Sequence, residues 1–417
     1  MATPTATGRE FFTTVTVGAA LRLLAAPRTT PVEVVPLAEA LGRTPAASVT
    51  ASAALPGFAR STVDGFAVRA ADTFGASEGL PAYLDVVGAV AMGRPAEVAV
   101  RAGAAVAVPT GGVLPDGADA VVMVEHTQET MPGSVEVVRP VAPGDGTVRA
   151  DEDVAAGAEV APAGRPLRAQ DLGMLAAAGV VEVSVHRRPV VGILSTGDEV
   201  VPPDTATLVP GQVRDATASA LAGLVTGAGG EPLPLGIVGD DAADLERVLR
   251  GALDRCDVVV VSAGSSVGAR DETAGVVARL GAPGILCHGL ALRPGKPTLL
   301  ADCGGVPVVG LPGNPLSALV VFRLVGVPVV RRVGGTTVTP PEPTVRAVLD
   351  RQVPSQTGRL DVVQVRVTGG PGDVVASPLF GASALLSVLS SADGFLVVPE
   401  EATGLAEGTD VEVTLYR

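Results

Sequence analysis

The sequence predicts a multidomain α/β protein, with a central, doubly wound, mostly parallel α/β domain and smaller β-rich domains before and after it. Three observations predict this. The chain has 417 residues, more than one compact core fills at roughly 100–200 residues per domain. Between residues 189 and 324, short apolar runs alternate with stretches of helical spacing, the grammar of a parallel sheet with helices on both faces. At 83–138 and again after 344, short Val-rich runs alternate with Gly and Pro turns, which reads as small β-domains.

Residues 15–25 predict a short helix, with Val17, Leu21 and Leu24 on one face and Pro27 ending it. Residues 36–41 give a further helical turn or two, closed by Gly42. The stretch 55–68 runs from a Pro-Gly turn through Ser61, Thr62, Asp64 and Gly65 into a strand. It is either a plain hairpin or a loop that offers hydroxyls and a carboxylate to a ligand. Residues 108–115 form another glycine-rich turn, with Thr110 as its hydroxyl and backbone N–H groups able to face an anion. Residues 140–157 are loop-like and acidic, and 166–179 predict a helix in which Leu172, Leu175 and Ala176 share a face and Gly179 follows the end.

The apolar runs of the central region lie at 189–194, 233–238, 257–261 and 306–311. Asp215 and Asp241 suit helix N-caps, and Asn314 and Pro315 suit the N-cap and first position of a helix over 316–324. Each run ends in a polar cluster, and open α/β sheets bind ligands at the C-terminal ends of their strands. Those ends would gather Ser262, Gly264, Ser265, Ser266 and Lys296 with the carboxylates of Asp198, Glu199, Asp240, Asp241 and Asp271. Backbone N–H groups with a lysine suit phosphate, and carboxylates beside phosphate suit Mg²⁺. Lys296 is the one lysine among 30 basic residues. Its ammonium is a compact charge with freely directed donors, and the prolines and glycine of the motif Arg-Pro-Gly-Lys-Pro at 293–297 stiffen its turn. The residues alone therefore point to a Mg²⁺-dependent enzyme acting on a phosphate or anhydride. After a proline-rich linker at 340–343, runs at 345–349, 360–367, 395–398 and 411–415 predict a C-terminal β-domain without a catalytic cluster of its own.

Composition removes other classes. A net charge of −14 disfavours non-specific binding to nucleic acid or anionic membranes, and 2% aromatics tells against base-stacking platforms. The longest uncharged stretch, 303–322, is broken by Pro307, Pro312 and Pro315 and does not read as a membrane span. No signal-peptide pattern opens the chain. Cys256, Cys287 and Cys303 have no metal spacing, and His126, His186 and His288 are too scattered for zinc. A reduced, cytoplasmic protein is the expectation. There is no dinucleotide fingerprint, and Gly295 with Lys296 is not a phosphate loop, because Pro297 stands where Ser or Thr must bind Mg²⁺. Residues 264–268 fit Gly-x-Ser-x-Gly, but the acid and base for Ser266 would be Asp271 and His288, crowded into a span that the hydrolase fold spreads widely.

Several motifs together carry a resemblance. They are Leu-Pro-Gly-Phe and Val-Asp-Gly-Phe-Ala-Val within 55–68, Pro-Thr-Gly-Gly at 109–112, Glu-Asp-Val at 152–154 and Ser-Thr-Gly-Asp-Glu at 195–199. They continue with the Asp240–Asp241 pair, Ser-x-Gly-x-Ser-Val-Gly at 262–268, Arg-Pro-Gly-Lys-Pro at 293–297 and Leu-Pro-Gly-Asn-Pro at 311–315. In this order they resemble the molybdopterin molybdenumtransferases, the MoeA and gephyrin E-domain family, from about residue 10 to the end of the chain. The resemblance implies an elongated linker and dimerisation domain from 10–51 and 150–187, an inserted β-domain at 52–149, a molybdopterin-binding α/β domain at 188–338 and a β-barrel-like domain at 339–417. It implies a homodimer, and a reaction that inserts molybdate into adenylylated molybdopterin with Mg²⁺, releasing AMP and molybdenum cofactor.

By the same resemblance, Asp64, Thr110, Glu199, Asp271 and Lys296 are the catalytic candidates. Asp153, Glu199, Asp240, Asp241 and Asp271 are the metal candidates. Ser262, Gly264, Ser265, Ser266, Gly268, Arg293, Pro312, Gly313, Asn314, Pro315 and Ser383 are the substrate-binding candidates. Arg293 and Gly289 stand where the family usually has lysines, Ala263 and Ser265 replace Gly and Val, and Thr217 replaces Asn, a set that resembles the gephyrin-like branch. That branch brings an alternative: a scaffold that binds a partner peptide near the C-terminal domain with weak or no transferase activity. A lesser alternative is a molybdopterin adenylyltransferase, which the α/β domain alone resembles.

Overall fold

A computed structural model describes residues 14–24, 27–262, 267–370 and 372–416, and only the backbone of 267–271. The central unit is a six-stranded sheet. Its order is Glu231–Val238, Val190–Thr196, Val258–Ser262, Val306–Leu311, Leu299–Cys303 and Pro283–His288. The first four are parallel, and Leu299–Cys303 runs antiparallel to both of its neighbours. Both faces are covered, so the inner strands have no polar side and read as continuous apolar runs. Val258 and Val260 join one core with Leu221, Val225 and Phe322, while Val259 and Val261 join the other with Leu245 and Leu249.

The helices start where capping chemistry places them. The Asp215 carboxylate accepts from the N–H of Ala218, opening Ala216–Gly227. The Asp241 carboxylate accepts from Ala243 and Asp244, opening Ala242–Leu253. Pro315 begins the helix Pro315–Val321 after Asn314, whose side chain makes no capping bond. That helix does not run straight on to 324. A π-turn, Phe322–Gly326, links it to Val327–Val333, because Pro328 has no N–H with which to continue a regular α-helical ladder.

The inserted sheet has the order Ala120–Met123, Gly65–Val68, Ala104–Val108, Ala82–Ala89, Ser134–Val137, Thr127–Met131. It curls over two cores: alternation sends Phe66 and Val68 to one and Ala67 to the other. Val32–Pro36 pairs with Glu182–His186, and Val49–Thr50 with Glu159–Ala161, so the chain leaves for the inserted sheet and returns to the same small core around Leu167, Leu175 and Val183. The first helix, Val17–Leu23, packs on the central unit: Ala20 and Leu24 are buried with Val191 and Leu290.

The C-terminal unit is a closed five-stranded barrel. Leu360–Gly370 pairs with both Asp373–Pro378 and Gly394–Val398, while Thr344–Leu349 and Asp410–Leu415 complete the circuit. Closure leaves none of these strands as a free edge. The short strand Leu292–Arg293 adds to the barrel beside Leu360 and Asp361, which brings the Lys296 turn against the C-terminal unit.

Candidate active site

Where the Lys296 turn meets the barrel there is a cavity of about 750 Å³. The turn is pinned from below. The Lys296 carbonyl accepts from the N–H of Leu290 at 2.8 Å and of Thr298 at 2.9 Å, and the buried Thr298 hydroxyl donates to the Gly295 carbonyl at 2.6 Å. Gly295 has φ +127°, and a Cβ there would lie 2.4 Å from Val321 Cγ2, so only glycine lets the turn sit on its helix. The Lys296 side chain itself is exposed, lines the cavity and has no carboxylate partner among the described residues.

Arg293, Pro312, Gly313, Asn314 and Ser383 line the same cavity. Pro315 is the first residue of the adjoining helix, and the Leu316 N–H donates to the Ser383 carbonyl at 3.2 Å, which seats the 383 loop on the helix start. The structure thus brings six of the sequence candidates together: Arg293, Lys296, Pro312, Gly313, Asn314 and Ser383. Ser262 is paired with Leu311 at the strand ends and is buried.

A carboxylate cluster occupies the tips of the neighbouring strands. Asp198 accepts from the N–H of Asp240 at 3.1 Å. Burial raises the Asp240 carboxyl above the usual carboxylate range, helped by the charges of Asp198, Glu199 and Glu272. Asp241 is committed to capping its helix. Among the described residues no three His, Cys, Asp or Glu side chains are close enough together to hold a metal ion. Mg²⁺, however, usually keeps several waters and takes one or two carboxylates plus substrate phosphate, so the chemistry of this oxygen-rich cluster fits it.

Asp64 and Thr110 come together in the inserted sheet: the Thr110 N–H donates to Asp64 Oδ1 at 2.7 Å, and the Gly111 N–H donates to the Ser61 carbonyl at 2.8 Å. Asp153 lies on the returning chain, where its N–H donates to the Leu55 carbonyl at 3.1 Å. Gly264, Ser265 and Ser266 lie outside the described residues. Gly268 and Asp271 belong to the helix Val267–Val277, of whose residues 267–271 only the backbone is described.

The C-terminal segment, read from sequence as lacking chemistry apart from Ser383, supplies much of the cavity wall, including Arg359, Asp361 and Gln364. Buried Asp361 takes Arg359 at 2.8 Å and Arg293 at 3.6 Å from two units of the fold.

Three family regions match the chain: the MoeA N-terminal region (domain I and II) over 15–179, a probable molybdopterin binding domain over 192–332 and the MoeA C-terminal region (domain IV) over 346–416. Molybdopterin molybdenumtransferase 2 of Mycobacterium tuberculosis is 35% identical over 91% of this chain and 94% of its own. Molybdopterin molybdenumtransferase of Bacillus subtilis is 32% identical over 92% of this chain and 90% of its own. Among solved structures, a molybdopterin biosynthesis MoeA protein from Pyrococcus horikoshii superposes with a TM-score of 0.83 at 32% identity, covering 97% of this chain and 100% of its own. With the motifs, the four-part fold and these relatives in agreement, the chain belongs to the MoeA family of molybdopterin molybdenumtransferases.

Proposed function

We propose that this protein is a molybdopterin molybdenumtransferase that inserts molybdate into adenylylated molybdopterin and releases AMP and molybdenum cofactor. The observation that carries the reading is the Lys296 cavity: an ammonium without a carboxylate partner among the described residues, on a pinned turn, in a cleft large enough for a substrate and walled also by the Leu-Pro-Gly-Asn-Pro motif and Ser383. Lys296 binds an oxyanion of the substrate, and Arg293, steadied by Asp361, shapes the wall beside it. Pro312, Gly313 and Asn314 set a rigid rim, and the Ser383 loop closes the opposite side. Glu199 and Asp240 would hold Mg²⁺ together with substrate phosphate, and Asp153, Asp241 and Asp271 complete the proposed acidic set. When bound, the ion supplies positive charge to the anhydride oxygens. Asp64 and Thr110 form a second catalytic pair on the inserted sheet.

A homodimer is part of the proposal. It is supported by side chains left exposed on the inserted sheet (Phe74, Leu80, Tyr83, Met92) and on the paired strands near residues 32–36 (Val32, Val34, Val181). The scaffold alternative is not favoured, since the relatives matched over nine-tenths of the chain bear the transferase name. The adenylyltransferase alternative leaves residues 15–179 and 346–416 without a role. A cytoplasmic location agrees with the absence, among the described residues, of any helix long and apolar enough to cross a membrane. The test is AMP release by purified protein from adenylylated molybdopterin, with and without molybdate. Release that depends on molybdate supports the transferase. Binding of the adenylylated substrate with no release rejects it.

A further inference from the structure

Phe380 stands in the wall of the Lys296 cavity, and packing does not account for it. It is 54% exposed and joins neither the core beneath the helix starts nor the core of the barrel. Nearby apolar residues do join one: Val388 and Leu389 of the short helix Leu386–Ser390 pack against the core that holds Phe322 and Phe395. Most of a phenylalanine's surface is its ring, so exposure on this scale leaves much of the ring open. Phe380 is the one aromatic residue among the described residues that line the cavity. The ring and cation contacts described in this part of the fold join Phe395, Tyr416 and Arg323, and Phe380 takes part in none of them.

The backbone holds the ring in place. The Leu379 N–H donates to the Gln364 carbonyl at 2.8 Å, which ties the residue before Phe380 to the barrel. The Ser383 carbonyl accepts from the Leu316 N–H at 3.2 Å, which ties the loop to the central unit three residues later. Between the two ties, Gly381 sits close on the short helix, where a Cβ would lie 2.6 Å from Val388 Cγ2. An apolar ring held out in water is unfavourable, and burial against a ligand recovers that free energy with little further ordering to offset.

The cavity therefore offers an ammonium without a carboxylate partner among the described residues, and an open aromatic face. A ligand that uses both carries an anionic group and a flat heterocycle. The scarcity of aromatics tells against a platform for a polynucleotide, but one ring serves one heterocycle of a small molecule.

We propose that Phe380 is a substrate-binding residue, on whose ring a flat heterocycle of adenylylated molybdopterin stacks. This rests on the transferase reading above. The substrate has two such heterocycles, the adenine and the pyrimidinone ring of the pterin.

The experiment measures the binding of adenylylated molybdopterin, AMP and molybdopterin by calorimetry, together with Tm, for wild type, Phe380→Ala, Phe380→Leu and Phe380→Tyr. Alanine removes the ring and should weaken binding of the adenylylated substrate about tenfold. Leucine keeps apolar bulk without an aromatic face and should lose nearly as much. Tyrosine keeps the face and should bind as wild type does. Tm should stay unchanged in all three, because the side chain is exposed. A loss seen also with AMP places the adenine on the ring, and one seen also with molybdopterin places the pterin there. Unchanged affinity in Phe380→Ala overturns the inference, and so does wild-type affinity in Phe380→Leu, which would show an apolar contact without stacking. A lowered Tm that tracks the affinity loss overturns it as the sign of a structural role. In each of these cases wild-type protein still binds the substrate, and the transferase reading stands. Wild-type protein that fails to bind the adenylylated substrate overturns that reading, and this inference with it.

Discussion

Replacing Asp361 with alanine should loosen the Lys296 turn from the barrel. The buried carboxylate receives Arg359 through Nε at 2.8 Å and Nη2 at 3.3 Å, and Arg293 lies 3.6 Å away on the strand paired with it. Charge-assisted hydrogen bonds contribute about 1.5–3 kcal/mol each, but the arginines are 28% and 62% exposed, so water recovers part of the loss once the carboxylate is gone. Arg293, the more exposed, contributes no more than about 1 kcal/mol. Most of the loss therefore comes from Arg359, and Asp361→Ala should cost roughly 2–3 kcal/mol. In a unit the size of the barrel that lowers its melting transition by about 10 °C. Scanning calorimetry reads this directly, and a double-mutant cycle with Arg359→Ala should return most of the loss as coupling. The KM for the adenylylated substrate should rise as well, because the turn has lost its tie. An unchanged transition, or a cycle with no coupling, would refute Asp361 as the anchor of Arg359, and an unchanged KM would refute it as the tie of the turn.

Asp171 gives a pH-dependent prediction. Burial raises its pKa, but hydrogen bonds from Arg168 and Arg165 outweigh that and hold the carboxyl well below the usual carboxylate range. A depressed folded-state pKa contributes stability that is fully present above the unfolded value near ~3.9 and fades as pH falls towards the folded value. Asp171→Asn should therefore lower Tm at neutral pH, by roughly 2–4 kcal/mol of stability, and the gap to wild type should narrow below about pH 4; a gap that stays constant with pH contradicts the clamp. Gly65→Ala tests the inserted sheet. The added Cβ would lie 1.9 Å from the Val122 carbonyl oxygen, so two backbones must part, at a cost of about 3 kcal/mol or more, with Asp64 displaced next door. Melting like that of wild type would mean that the close approach is not real.

The parallel sheet was legible because its buried strands carry no polar side. The runs at 189–194, 233–238, 257–261 and 306–311 became four adjacent strands, and Asp215 and Asp241 cap the helices that their positions predicted. The edge strand Pro283–His288 and its antiparallel neighbour Leu299–Cys303 were missed. The first is interrupted by glycine and histidine, and nothing local specifies that the second must turn back on it. Of the residues that line the cavity, Lys296 was legible from its turn chemistry, while Arg293, Pro312 and Asn314 were candidates through the family resemblance. Arg359, Asp361 and Gln364 were not, because their meaning depends on a strand pairing between residues 292 and 360 that local pattern does not encode. Strand Asp373–Pro378, which the barrel needs for closure, also escaped. It is short, and register across a barrel is set by partners distant in sequence.

The most direct measurement is kcat/KM for molybdate-dependent AMP release by Lys296→Ala beside wild type, with Tm for both. Lys296 is exposed and lacks a carboxylate partner among the described residues, so its removal should leave Tm unchanged. Turnover should fall about 100-fold or more, the usual consequence of losing a preorganised charge at a reacting oxyanion. Wild-type turnover in a folded Lys296→Ala protein would contradict the claim that this turn is the centre of the site.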